Sequence, residues 1–144
     1  MNDATVNLVT KIFERARFLK LLGIELVSFG EGWCEMKVQV RPDLEQQHGF
    51  IHAGVLMTLA DHTCGVAAAT LIEEGRDVIT VENKISFLRP ASGSEISCRA
   101  HVLRAGKTLI FVEAEVMTMR NNEPAIAAKA SSTLAVISRD RWNV

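Results

Sequence analysis

The sequence predicts an α+β domain in which a curved antiparallel sheet wraps around one long helix. Residues 53–73 read as a single helix with few polar side chains on any face, so this helix must be covered nearly all round. Two strand-like runs precede the helix and four follow it, and turn residues separate them. Strands joined by turns pair as antiparallel neighbours. A sheet curved around the helix would bury most of its apolar surface, and a second subunit could bury part of the rest.

The elements before the long helix are predicted in the following order. Residues 5–21 carry apolar side chains at helical spacing with charges between them, which indicates an amphipathic surface helix that ends at Gly23. A short strand is expected at 24–29. A second strand at 33–40 is followed by a polar loop at 41–51. The second strand alternates cleanly, with one face formed by Cys34, Met36, Val38 and Val40.

Four strands are predicted after the long helix, which Gly75 is expected to end. They cover residues 78–88, 95–104, 107–118 and 125–137. No repeat, low-complexity tract or linker divides the chain, so we expect one domain over residues 1–144. Within it, residues 1–22 would form the N-terminal helix and residues 138–144 a C-terminal tail.

Composition narrows the range of functions. The 144 residues are 48% hydrophobic and carry a net charge of −1, so nucleic acid and anionic membrane surfaces are not expected partners. Asp61 and His62 at the centre of the long helix argue against a membrane span. Three widely spaced cysteines favour neither a zinc site nor a disulfide framework, and charges interrupt every apolar run before Leu21. A reducing, cytoplasmic setting is therefore expected.

Asp61 is the acidic residue of an otherwise apolar helix. Burying a carboxylate without partners costs several kcal/mol or raises its pKa. One interpretation is structural, with Asp61 bonded to backbone groups or to a cation at a subunit contact. The other is catalytic, with Asp61 acting as a general base or a nucleophile in a pocket of low dielectric constant.

His52 stands directly before the helix, followed by the small residues Ala53 and Gly54. A histidine in this place can cap the helix or pack in the core. No Ser, Thr or Asp caps the helix, so free backbone N–H groups would point at whatever lies in front of it. Together with the helix dipole, such groups suit a carbonyl oxygen that gains negative charge.

The spacing of His52 and Asp61 predicts a partner subunit. Nine residues correspond to roughly 2.5 helical turns and about 13 Å along the axis, so the two side chains face opposite ways. If both act on one bond, Asp61 of one chain must face the helix start of another. We therefore expect a homodimer or a homotetramer with shared active sites.

A metal site is a weaker interpretation. His48 and His52 have a four-residue spacing, but Gly49 disfavours a helix there and no acid accompanies the first histidine. We expect no metal, with His48 in a loop, His62 facing the sheet or solvent, and His101 exposed.

Four segments carry a resemblance to a known family: "GFIHAGVLMTLADHTCG", "ITVENKISFLRPASG", "RAGKTLIFVEAEV" and "AIAAKASSTLAVI". In order and spacing they resemble the hotdog-fold acyl-CoA thioesterases, in particular the branch of the phenylacetate-pathway thioesterases. The resemblance covers about residues 20–137. It implies an antiparallel sheet around a long helix, a dimeric or tetrameric assembly, active sites between subunits, and no cofactor.

The resemblance also implies roles for residues at the helix. The helix acid of the family falls on Asp61, as the base for water or the nucleophile toward the thioester carbonyl. Its His-Gly-Gly turn falls on His52, Ala53 and Gly54. The Ala53 N–H would then donate to the oxyanion. Ala53 replaces the usual glycine, which adds a methyl group beside that site but keeps the N–H.

Other implied positions lie outside the helix. An asparagine of the family falls on Gln46, followed by Gln47, and either amide could hold the water or the thioester. A Ser/Thr that positions water falls on Thr80, which shares strand parity with Glu82 and Lys84. Thr80 therefore faces the site only if this side of the strand lies at the subunit contact, or if a β-bulge reverses the alternation.

Substrate contacts complete the prediction. By resemblance, Arg89 and Lys107 at strand ends would meet the phosphates of coenzyme A, although solvated turn charges are the simpler interpretation. Phe50 and Met57 would line an aryl or alkyl pocket. The predicted function is hydrolysis of a small or medium acyl-CoA or aryl-acyl-CoA thioester. The alternatives are a hotdog-fold 3-hydroxyacyl dehydratase or hydratase, and a non-catalytic acyl-CoA-binding module.

Overall fold

The fold is a six-stranded antiparallel sheet around one central helix, as seen in a computed structural model that describes residues 3–141. Two N-terminal helices are followed by two strands, the central helix and four further strands. Short 3-10 turns lie at Pro42–Leu44 and Arg139–Arg141. The elements are α1 (Asp3–Arg15), α2 (Arg17–Leu22), β1 (Ile24–Gly30), β2 (Trp33–Gln39), α3 (Ala53–Ala69), β3 (Arg76–Phe87), β4 (Glu95–Ala105), β5 (Leu109–Arg120) and β6 (Glu123–Ser138).

The strands lie in the order β1-β2-β4-β5-β6-β3, so β1 and β3 form the two edges of the sheet. The concave face of the sheet holds α3, whose Leu59, Cys64 and Val66 are fully buried. The alternation predicted for β2 is confirmed, because Cys34, Met36 and Val38 are fully buried. Apolar burial on one face of each strand fixes the register of the pairing.

The N-terminal helix differs from the prediction of one helix at residues 5–21. The chain leaves the helical conformation at Ala16, with φ −76° and ψ 77°, so α1 and α2 are separate. This break allows both Val9 of α1 and Leu19 of α2 to be buried. Gly23 ends α2 in the left-handed conformation, φ 73°, as predicted.

The central helix is shorter than predicted, since it ends at Ala69 rather than near residue 73. The Thr70 hydroxyl donates to the Ala67 carbonyl at 2.7 Å and accepts from the Gly32 N–H at 2.8 Å. These two bonds hold the helix end against the β1–β2 turn. Gly75 follows in the turn after the helix, with φ 81°.

The strands after the helix agree with the prediction apart from their ends. The β5–β6 connection is tighter than expected: Asn121 and Asn122, with φ 51° and 63°, form the whole turn between the strands. The C-terminal region also differs. The predicted tail at 138–144 begins inside β6 and continues in the 3-10 turn, and its last residues, including Trp142, lie outside the described part of the chain.

Four strands contain an irregularity in which one residue is inserted into the pairing. The extra residues are Val27 in β1, Val81 in β3, Leu103 in β4 and Ala127 in β6. Such β-bulges reverse the side-chain alternation beyond them. Among residues 3–141, no helix has both the length and the apolar composition needed to cross a bilayer.

The three cysteines predict a chemical test of this core. Cys34, Cys64 and Cys98 are free and buried, and burial raises the pKa of Cys34 and of Cys64 to about 12. Because the thiolate is the reactive form, a thiol reagent should label the native protein no faster than it unfolds. All three thiols should react in denaturant. A thiol that reacts rapidly and stoichiometrically in the native protein would contradict this packing.

Candidate active site

The loop before α3 is held in a defined shape by backbone bonds. Glu45 and Ile51 form an isolated antiparallel bridge, and the Gln46 N–H donates to the Phe50 carbonyl at 2.8 Å. The His52 N–H donates to the Leu44 carbonyl at 2.9 Å. The loop therefore places His52 at a fixed position directly before the helix.

His52 is the N-cap of α3. Its Nδ1 accepts a hydrogen bond from the Gly54 N–H at 2.9 Å, and its carbonyl accepts from Val55 and Leu56. The Ala53 N–H has no acceptor among residues 3–141. One backbone donor at the positive end of the helix dipole thus remains available to a ligand.

A cleft of about 520 Å³ opens in front of this helix start, between the loop and the segment after β3. Arg89 borders the cleft, and its Nη1 donates to the Ile126 carbonyl. The Gln46 Oε1 accepts from the His48 N–H, which fixes the side chain of this glutamine. Six predicted site residues line the cleft together: Gln46, Gln47, Phe50, His52, Ala53 and Arg89.

Asp61 lies at the middle of α3, where its side chain meets β3. The Thr80 hydroxyl donates to Asp61 Oδ1 at 2.9 Å, and the Asn83 amide Nδ2 donates to the same oxygen at 3.3 Å. Neither interaction involves Oδ2, and no donor among residues 3–141 contacts that oxygen. The carboxylate is therefore anchored through one oxygen and open at the other.

The β-bulge at Val81 explains how Thr80 reaches Asp61. Thr80 pairs with Leu134, and Asn83 pairs with Ser132, and both of these β6 residues are buried on the helix side. Without the inserted Val81, strand alternation would point Thr80 and Asn83 to opposite faces. The bulge brings both side chains to the same carboxylate.

Sequence reasoning missed Asn83 and Ser132. The Ser132 hydroxyl donates to the Asn83 Oδ1 at 3.1 Å, so the two residues continue the hydrogen-bond network that starts at Asp61. One signal was present in the sequence: Asn83 shares its parity with Ile85 and Phe87, a polar residue among apolar ones. Such a residue needs a polar partner in the fold.

Several predicted residues do not line the cleft of their own chain. Asp61 and Thr80 lie at the β3 flank of α3, and Gly54 borders a neighbouring cleft of about 410 Å³ beside α2. Met57 is exposed on α3. Lys107 borders a cleft with Leu71 and Ile72, beyond the opposite end of α3 from Arg89. Within one chain, the residues at the start of α3 therefore lie apart from the Asp61 carboxylate.

The other histidines take the places that the sequence allowed. His48 is exposed in the loop, and His101 is exposed on β4, 4.0 Å from Glu113. The Nε2 of His62 is buried without a hydrogen-bond partner among the described residues. Burial lowers the pKa of His62, and the negative charge of Asp61 opposes this effect only in part. His62 is thus a neutral side chain at pH 7.

Known proteins share both the sequence pattern and the fold. The family model of the thioesterase superfamily matches residues 48–125. Human acyl-coenzyme A thioesterase 13 is 37% identical over 117 residues, covering 75% of this chain and 79% of that protein. A thioesterase family protein from Silicibacter pomeroyi superposes with a TM-score of 0.90 at 35% identity, covering 93% of this chain and 98% of that one.

A further solved structure shares the fold alone. The PaaI protein of E. coli, from the phenylacetic acid degradation operon, superposes with a TM-score of 0.82 at 22% identity. The match covers 93% of this chain and 94% of that one. The predicted hotdog architecture is confirmed by these matches and by the strand order.

The capping role of His52 predicts a stability difference between two variants. His52→Ala removes the acceptor for the Gly54 N–H and should cost about 1 kcal/mol, the usual scale for an N-cap. That corresponds to a melting temperature lower by roughly 2–4 °C. His52→Asn retains a capping oxygen and should melt close to the wild type. Equal melting curves for the two variants at one protein concentration would show that the imidazole does not cap α3.

Proposed function

The chain belongs to the thioesterase superfamily and is a thioester hydrolase, and we propose that it hydrolyses small or medium acyl-CoA or aryl-acyl-CoA thioesters at a site shared by two subunits. Asp61 would act as the base for water or as the nucleophile. The Ala53 N–H would stabilise the oxyanion. The family membership supports the reaction type, and the geometry around Asp61 supports the assignment of roles.

The observation that carries this proposal is the state of the Asp61 carboxylate. Oδ1 is anchored by Thr80 at 2.9 Å, while Oδ2 is open to a reactant. As a base, Asp61 would remove a proton from water as the water oxygen attacks the carbonyl carbon. Collapse of the tetrahedral intermediate would break the carbon–sulfur bond, and the proton would pass to the leaving thiolate. As a nucleophile, Asp61 would attack the carbonyl carbon and expel the thiolate as the carbon–sulfur bond breaks. The resulting anhydride would then be hydrolysed by water to the free acid and the Asp61 carboxylate.

The free Ala53 N–H is suited to the charge that develops in this reaction. It lies at the start of a 17-residue helix and lines the cleft in front of it. A fixed donor of this kind stabilises an oxyanion more than a neutral carbonyl, and therefore accelerates the chemical step. The Ala53 methyl group leaves the N–H in place.

Two features support a shared site. Incompletely buried residues form a stripe along α3 at spacings of three and four: Gly54, Thr58, Asp61 and Gly65. Beside this stripe, β3 has β6 as its only neighbour among the described strands and presents exposed Ile79, Val81 and Phe87. A long apolar edge strand readily pairs with another chain.

A two-fold axis between two subunits would bring the α3 start of one chain to Asp61 of the other. The midpoint between positions 52 and 61 lies beside Met57, which is 41% exposed. If the axis passes there, antiparallel α3 helices bring each Asp61 to the helix start of its partner. Each dimer would then contain two equivalent sites, and Met57 and Phe50 would border the acyl group.

Recognition of coenzyme A would fall to the cleft residues. The Arg89 guanidinium has five N–H donors, and its bond to the Ile126 carbonyl orients the group beside the cleft. Its remaining donors suit a phosphate. Gln46 and Gln47 would hold the thioester or the water, and Lys107 would take part only from a neighbouring subunit. The buried free cysteines agree with a reducing, cytoplasmic setting.

Replacing Asp61 tests the proposed chemistry. Asp61→Asn keeps the shape and removes the basicity, so thiol release from the best acyl-CoA should fall at least ~10²-fold. Asp61→Glu should also be impaired, because it displaces the oxygen by about an ångström. Melting curves serve as the folding control. A folded Asp61→Asn variant with near wild-type turnover would show that the carboxylate is structural.

The substrate is tested with a panel of acyl-CoA and aryl-acyl-CoA thioesters, assayed by thiol release. Enoyl-CoA is included, because loss of enoyl absorbance without thiol release would indicate a hydratase. Tight acyl-CoA binding without thiol release from any substrate would contradict the proposed reaction.

Assembly through the β3 edge predicts the effect of a charge there. Val81→Lys, at a bulge residue that is 62% exposed, should yield monomers and abolish most activity. Val27→Lys is a matched control, since Val27 is the bulge residue of the opposite edge strand and is 48% exposed. Solution mass and thiol release are measured for both variants. An active monomer of Val81→Lys would refute the shared site.

A further inference from the structure

We propose that Asn83 is a positioning residue that anchors one oxygen of Asp61, with Ser132 holding the Asn83 amide in the required orientation. This inference rests on the proposed catalytic role of Asp61. It concerns Asn83 and Ser132, neither of which has to contact the substrate in the proposed reaction.

The first step in the argument is the convergence of two donors on one atom. Thr80 and Asn83 both donate to Asp61 Oδ1, at 2.9 and 3.3 Å. A single donor would leave the carboxylate free to rotate about the axis of that bond. Two donors from separate positions on β3 restrict this rotation and direct Oδ2 away from the strand. Because misplacement by about an ångström is costly in catalysis, this restriction has a functional consequence.

The second step concerns the orientation of the Asn83 amide. An amide can present either its NH₂ group or its carbonyl to a neighbour, and only the NH₂ group attracts a carboxylate. The Ser132 hydroxyl, which is buried, donates to Asn83 Oδ1 at 3.1 Å. This bond places the carbonyl toward β6 and the NH₂ group toward Asp61.

The expected effect follows from the lost hydrogen bond. Without the Asn83 donor, the Asp61 carboxylate can rotate about its bond to Thr80, which misplaces the reactive oxygen. Asn83→Leu should lower kcat about tenfold, the scale of one charge-assisted hydrogen bond. KM should remain unchanged, because Asn83 does not contact the substrate.

Two more variants grade the effect. Asn83→Asp is nearly isosteric but replaces the NH₂ donor with a carboxylate oxygen, so its kcat should fall at least as far as that of Asn83→Leu. Ser132→Ala removes only the group that orients the amide, and should lower kcat by a smaller factor at unchanged KM. Ser131→Ala is its matched control, since Ser131 is the neighbouring serine on the exposed face of β6 and should leave kcat and KM unchanged.

The outcomes separate this inference from the proposed function. A kcat that falls at unchanged KM in Asn83→Leu and Asn83→Asp, and by a smaller factor in Ser132→Ala, supports the positioning role. A change in KM, or no change in either quantity, overturns it. If Asn83→Leu does not fold, the isosteric Asn83→Asp and Ser132→Ala variants still decide the question. If Asp61→Asn keeps its activity, the proposed function fails, whatever the Asn83 variants show.

Discussion

A carboxylate in the middle of an apolar helix must find hydrogen-bond donors, and the arrangement of β3 follows from this requirement. An edge strand with regular alternation would offer Asp61 either Thr80 or Asn83, not both. Insertion of Val81 brings both donors to one oxygen. The same insertion leaves an apolar side chain exposed at the edge of the sheet. One irregularity thus supplies both donors to the carboxylate and leaves an apolar side chain exposed at the sheet edge.

The two parts of the proposed reaction centre depend on different physics. At the start of α3, the available group is a backbone N–H, whose direction the helix itself determines and whose availability depends on His52 taking the next amide. At Asp61 the available group is a side-chain oxygen, whose direction depends on neighbours from another element. The direction of the N–H is insensitive to side-chain substitution, because the helix backbone determines it. The direction of the Asp61 oxygen is sensitive to single changes in β3 and β6.

Much of the architecture was predictable from the sequence, because alternation in β2 and β4 and the apolar character of α3 are local signals. Asp61, His52 and Ala53 stand out for the same reason. The break at Ala16 was not predictable, since a helix of this length is locally favourable and only burial of Val9 and Leu19 together explains it. The Val81 bulge has no local signature either, so neither the hydrogen bond of Thr80 to Asp61 nor that of Ser132 to Asn83 could be predicted from the sequence.

Hydrogen bonds hold both ends of α3 in place. The His52 N–H donates to the Leu44 carbonyl, and the Thr70 hydroxyl accepts from the Gly32 N–H. The axial position of the helix is therefore fixed at two points. In the proposed two-fold pair the helices would run in opposite directions, so a shift of each helix along its axis by a given distance would separate the two reactive groups by twice that distance. The hydrogen bonds at the two helix ends oppose such a shift, and loss of either one would change this distance at both proposed sites.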